Sequence, residues 1–195
     1  MSVTTGILLF DDNEELDFAG PWEVFSMAQT EGDRTVLIAE RPEPVRAAWG
    51  MRVLPDHTLA DAPPLDVLVV PGGHGTRREV ENPALIEWIK KAAEHCTWVT
   101  SVCTGSFVLH AAGLLAGKRV TTHWTSIERF RQKPDITVVE TVRYVRDGNV
   151  VTAAGVSAGI DMALWVVGQI YGVDHARAVR SFMEYDPAPP YSADV

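Results

Sequence analysis

The chain has 195 residues, 46% of them hydrophobic and 22% charged, with a formal net charge of −9. That suits one large α/β domain with a core of its own, needing no disulfide or metal staple, and no basic stripe is long enough to make nucleic acid or an anionic membrane surface an expected partner. Two cysteines, Cys96 and Cys103, are too few for a secreted disulfide scaffold, and without a signal-peptide pattern the expected compartment is the cytoplasm.

Residues 6–10 read as a short apolar strand, followed by an acidic loop over 11–15. Residues 16–25 lead into a helix, with Pro21 suited to its first turn. A second strand covers 35–39, and 45–54 read as a small hairpin or meander around Gly50. Residues 66–70 are a continuous apolar strand of the kind buried inside a parallel sheet. They run into Pro71-Gly72-Gly73-His74-Gly75, a turn that calls for glycine backbone. Asn82 caps and Pro83 opens the next helix, which carries Leu85, Ile86, Trp88 and Ile89 inward and ends near His95. Residues 97–102 are β-branched and aromatic enough for a buried strand. Cys103 follows directly, and Thr104-Gly105-Ser106 with the apolar run behind it begins a helix. Residues 119–122 form a short strand and 123–132 a helix. Three strands follow, over 137–140, 142–146 and 150–153, the last two joined by Asp147-Gly148-Asn149. Ser157 caps a long apolar helix reaching Tyr171, and Asp174 caps the last one. Residues 153–173 are poor in charge, but Asp161 and four glycines interrupt them, which fits a buried core helix rather than a membrane span. The proline-rich stretch 187–191 is expected to lie extended on the surface.

Strands alternate with helices almost throughout, which implies a mostly parallel sheet sandwiched between helices in a single domain over 1–195. Ligands of such sheets bind beyond the carboxyl ends of strands. The loop after Phe10, the turn after Val70 and the junction at Cys103 all leave such ends. A thiol at a strand-to-helix junction faces the first unpaired N–H groups of the helix, which predicts a pKa below its free value and the geometry of a nucleophile elbow. The alternative for any cysteine is a small buried hydrophobe, and Cys96 fits that description. Asp17 is either a helix cap or a carboxyl kept protonated by apolar neighbours and a nearby thiolate, able to exchange protons with substrate. Gly72 and Gly73 make either a plain turn or an oxyanion hole. The six histidines show no zinc spacing, so no metal is expected. His123 either approaches the pocket or is a satisfied structural histidine. No His follows Cys103, which weighs against a Cys–His protease.

Several segments together resemble the ThiJ/PfpI superfamily: 16–21 (Leu-Asp-Phe-Ala-Gly-Pro), 70–73, 101–106 (Ser-Val-Cys-Thr-Gly-Ser), 111–117, 121–124 (Thr-Thr-His-Trp), 155–161 and 184–190. The resemblance covers nearly the whole chain. It implies the flavodoxin-like sheet shared with class I glutamine amidotransferases, and a homodimer as the usual state. By this resemblance Cys103 looks like the nucleophile, Asp17 the acid/base and Thr104 the neighbour that assists the bound substrate, with Gly72, Gly73, Gly155 and Val156 around the substrate. Asp17, where other branches carry Glu, and Thr104, where some proteases carry His, look most like the branch that hydrates isocyanides. The implied activity is a cofactor-independent lyase turning an organic isocyanide and water into an N-substituted formamide through a covalent thioimidate. Trp124 and Val156 are candidates for holding the R group. The same cysteine segment also resembles the amidase-like sensor domains of some transcription regulators. A non-catalytic small-molecule sensor is therefore the alternative, and glyoxalase-like hydration of an aldehyde a third. No helix-turn-helix of the kind such regulators append is read here, so direct DNA binding is not expected.

Overall fold

Six buried residues in a row, β1 (Thr4–Leu9), form an inner strand of a seven-stranded sheet in the computed structural model of the protein, which describes residues 2–186. The chain continues through α1 (Glu15–Ala28), β2 (Arg34–Ala39), a hairpin of β3 (Val45–Arg46) and β4 (Arg52–Val53), and β5 (His57–Thr58), before β6 (Val67–Val70). Then come α2 (Thr76–Glu79), α3 (Pro83–Ala93), β7 (Trp98–Val102), α4 (Gly105–Ala111), β8 (Arg119–Val120), α5 (Ile127–Arg131) and β9 (Thr137–Val138). The last described elements are β10 (Tyr144–Asp147), β11 (Val150–Ala153), α6 (Ala158–Tyr171) and α7 (Val173–Phe182). The sheet order is β10-β11-β7-β6-β1-β2-β5. All its pairs are parallel except β10 with β11. This is the mostly parallel, helix-covered, flavodoxin-like architecture the alternation implies.

Strand periodicity divides the core in two. Ile7, Leu9, Val67, Val69 and Val102 face α1 and α6, against Phe18, Val24, Met162 and Val166. Leu8, Leu68, Val70 and Val99 face the other way, against Leu85 and Ile89 of α3 and Phe107 and Leu109 of α4. Burial on both faces is why β6 reads as an unbroken apolar run.

Several local expectations need correction. α1 starts at Glu15, inside the acidic loop, because Glu15 and Asp17 suit the positive end of the helix dipole. Pro21 therefore lies within the helix rather than in its first turn. Ser157 occupies the cap position of α6 as expected, but its side chain makes no capping bond; its hydroxyl accepts from Arg143 Nη2 at 3.0 Å. Asp174 falls inside α7 and binds Arg177, while Gly172, at φ +96°, occupies the cap position. Asn82 does cap α3, accepting from the N–H groups of Ala84 and Leu85. β8 pairs only with β9, in parallel and apart from the main sheet. Among the described residues no helix is long and apolar enough to cross a membrane. The stretch 187–191 lies outside the described residues.

Candidate active site

The carboxyl ends of β1, β6 and β7 lie side by side, and each hands its loop to the same corner. β7 ends at Val102, and Cys103 turns into the left-handed region at φ +56°. A side chain there costs about 1–2 kcal/mol, so the turn must be held. Cys103 N–H donates to the Ala153 carbonyl at the end of β11 (3.1 Å). Its own carbonyl accepts from Thr122 Oγ1 (2.9 Å) and Ser106 Oγ (3.1 Å). Gly105 follows because any side chain there would run into the Val70 and Pro71 carbonyls at the end of β6. The sulfur-bearing residue is left 8% exposed.

Asp17 comes from the first turn of α1 and is 0% exposed. Its Oδ2 accepts from Gly72 N–H (2.9 Å) and its Oδ1 from Val156 N–H (3.0 Å). Val156 sits at φ +46°, a strained conformation for a β-branched residue. Two strained residues thus meet at one carboxyl group. Gly72 makes the meeting possible. A Cβ on Gly72 would lie 2.8 Å from Asp17 Oδ2, 2.8 Å from Cys103 Cβ and 2.6 Å from the Thr104 nitrogen. Gly72→Ala is accordingly expected to destabilise the fold by about 1–3 kcal/mol through overpacking and to abolish turnover. Urea denaturation and an activity assay check the two effects separately.

Thr104, also buried, accepts from Gly73 N–H through Oγ1 (3.0 Å), and Thr76 Oγ1 lies 3.1 Å away. Of the two readings of Gly72 and Gly73, a plain turn or an oxyanion hole, the structure shows N–H groups that already have partners. Both are engaged, one by the Asp17 carboxyl and the other by the Thr104 hydroxyl, and the Val156 N–H is engaged as well. Gly155 lacks a side chain where the His123 ring packs, Cδ2 lying 2.6 Å from the position of a Cβ. His123 accepts from Thr125 N–H and so caps a 3-10 turn over Trp124–Ser126. It also lines a cleft of about 700 Å³ with Trp124, Ile127, Val142, Gly155 and Val156. His123 is thus satisfied within its own turn and lines a cleft beside the elbow. The cleft borders the elbow through Thr122, whose hydroxyl binds the Cys103 carbonyl. Among the described residues no three His, Cys, Asp or Glu side chains converge as a metal ion requires.

Compared with known families, residues 4–169 match DJ-1/PfpI. The chain belongs to the DJ-1/PfpI family. It is 41% identical to isonitrile hydratase of Pseudomonas putida over 193 residues, covering 99% of this chain and 83% of that protein. It is 37% identical to the HTH-type transcriptional regulator CdhR of Pseudomonas aeruginosa over 130 residues, covering 66% of this chain but 38% of the regulator. The crystal structure of a ThiJ/PfpI family protein from Pseudomonas syringae superposes with a TM-score of 0.91 at 30% identity, covering 100% of this chain and 80% of that one.

Electrostatics sets how this DJ-1/PfpI site can work. Burial pushes the Asp17 carboxyl up to about 7; the Gly72 N–H opposes that, the Glu14 charge adds to it, and the Val156 N–H and the Cys103 thiol pull it back. Burial also pushes the Cys103 thiol up to about 12, reinforced by the Asp17 charge and only partly offset by the backbone N–H and hydroxyl of Thr104. The expected lowering of the thiol pKa is thus corrected. The helix-start N–H acts as anticipated, but desolvation and a neighbouring carboxylate outweigh it. The two groups influence each other: the thiol lowers the carboxyl and the carboxylate raises the thiol. Cys96, buried under α3, is likewise pushed up to about 12 and has the packing role expected of it.

Sequence reading missed Thr76, Ser106 and Thr122 as supports of the elbow. Thr122 stood in a quoted motif, but nothing local shows that its hydroxyl crosses to another strand end.

Proposed function

We propose that this DJ-1/PfpI protein is a cysteine-dependent hydratase that converts an organic isocyanide and water into an N-substituted formamide. The observation that carries the reading is the convergence of Cys103, on a strained elbow, with the fully buried Asp17 carboxyl at the point Gly72 leaves open. The similarity to isonitrile hydratase selects the electrophile.

The isocyanide carbon is terminal and accepts a nucleophile at one site. Asp17 takes the thiol proton as the sulfur adds, then passes it to the same carbon. One S–C and one C–H bond form, giving a thioimidate on Cys103. Water adds to that carbon with Asp17 as base, and the nitrogen gains a proton. Collapse breaks the S–C bond, returns the proton to sulfur and releases the formamide. One water is consumed; no oxidant, reductant, metal or organic cofactor enters the balance. Splitting the addition in two lowers each barrier. Thr104, fixed by Gly73, assists the bound substrate from beside the sulfur. The cleft walled by Trp124, Ile127, Val142 and Val156 receives the R group; Trp124, 79% exposed, offers an aromatic face. We place the enzyme in the cytoplasm, where a free thiol persists, as a homodimer. The exposed Trp49, Met51 and Leu54 support an apolar contact surface.

A second reading is a small-molecule sensor. The CdhR similarity favours it, as does a thiol that does not ionise unaided. Incubation with p-nitrophenyl isocyanide, following formamide by chromatography, separates the readings. Turnover is the expected result. Tight binding without turnover across alkyl and aryl isocyanides would support the sensor, and lactate from methylglyoxal would support a glyoxalase-like activity instead.

A further inference from the structure

The acidic loop before α1 carries a charge that the proposed chemistry does not use. Glu14 N–H donates to the Gly72 carbonyl (3.0 Å), and the Glu14 carbonyl accepts from Asp17 N–H (3.2 Å), so its backbone is tied to two parts of the site. Its carboxylate is held from the β3–β4 hairpin. Trp49 Nε1–H donates to Oε1 (3.1 Å) and Oε2 (3.2 Å). The hairpin is fixed in turn. Glu15 Oε1 accepts from Trp49 N–H (2.7 Å), and Ala48 N–H donates to the Asn13 carbonyl (2.9 Å). Glu15 thus serves the hairpin backbone and Glu14 the hairpin's indole. The Glu14 charge reaches Asp17, Cys103 and His123, groups on three separate parts of the chain. The charges that weigh most on the sulfur, those of Asp17 and Glu14, are both negative. Arg78 is paired with Glu79 and Asp12, and Arg143 of the cleft with Asp161.

We propose that Glu14, held by the Trp49 indole beside the Cys103 site, selects electrophiles by charge: neutral and cationic ones reach the sulfur and anionic ones are repelled. The proposal rests on Cys103 being the reactive sulfur. It makes Glu14 a specificity residue, narrowing the substrate class to isocyanides whose R group carries no negative charge near the reacting carbon.

Alkylation tests this without turnover. The full chain is treated at low ionic strength with iodoacetamide, which is neutral, and iodoacetate, which is anionic. In each case an S–C bond forms, iodide leaves and the thiol proton goes to solvent. Peptide mass spectrometry reads the rate at Cys103. The neutral-to-anionic rate ratio is expected to be at least about fivefold larger in the native chain than in Glu14→Gln, which keeps an oxygen for the indole. Salt at about 0.5 M should shrink the native ratio and leave that of the variant nearly unchanged. Cys103 alkylated with a ratio indifferent to Glu14→Gln overturns the role of Glu14 and leaves the reactive sulfur standing. A native ratio indifferent to salt does the same, and needs no variant to fold. Failure of both reagents to modify Cys103 overturns the reactive sulfur and this proposal with it.

Discussion

Cys103→Ala is expected to lose isocyanide hydration by about 10⁴-fold or more, the scale seen when a covalent nucleophile is removed from a site that acts as a unit. The fold should survive. Alanine at φ +56° has the same backbone preference as cysteine, and the bonds that hold the turn come from Thr122, Ser106 and Ala153 to the Cys103 backbone, not to its sulfur. Cys103→Ser should be nearly as inactive. A hydroxyl is far harder to deprotonate than a thiol, so a neighbouring base near 7 lies further still from an alcohol than from sulfur. Formamide production under saturating isocyanide checks both, with circular dichroism as the control for folding.

Asp17→Asn is expected to lower turnover by about 10²–10⁴-fold, because the proton that leaves sulfur and arrives at carbon no longer has a carrier. In the native chain kcat/KM should rise with pH through about 7 and then level, since only the ionised carboxyl can receive the thiol proton. The same group makes folding depend on pH. Below about pH 4 the carboxyl is protonated in both folded and unfolded chains. Between 3.8 and about 7 the unfolded chain ionises and the folded one does not. Stability therefore falls as pH rises through that window, by up to about 4 kcal/mol from this one group, and the loss is complete above it. Asp17→Asn removes the slope. It also sets an NH₂ against the N–H of Gly72 or Val156, a loss of about 1–3 kcal/mol. The variant should be less stable than the native chain at pH 4, and the gap should close and then reverse by pH 8. Urea denaturation across that range measures it.

The sheet was legible because β6 is apolar on both faces, β7 is rich in β-branched and aromatic residues, and each ends in a residue pattern that cannot continue a strand. Strand β5 was not, because His57 and Thr58 carry no periodicity in two residues. The elbow at Cys103 was legible for the same reason as β7: an apolar strand runs into small residues with one thiol between. The carboxyl partner was legible as a candidate but not as a contact. Asp17 and Gly72 are 55 positions apart in sequence, and it is the parallel pairing of β1 with β6 that brings their loops together. Val156 shows a harder limit. Its local propensity opposes a left-handed backbone, and the bond that helps hold it there comes from Asp17, 139 positions away. The sign of the thiol shift followed the same logic. The helix start is written in the local sequence, whereas desolvation and the charge of Asp17 come from distant segments.

The most direct test of a reactive sulfur served by Asp17 is a peptide mass spectrum of the chain quenched within the first turnovers on p-nitrophenyl isocyanide. A thioimidate forms by addition, so the Cys103 peptide is expected to gain the full mass of the isocyanide, with Cys96 unmodified and no gain at 103 in Cys103→Ala. Turnover proceeding with Cys103 unmodified throughout, or with the added mass on Cys96, would contradict the account.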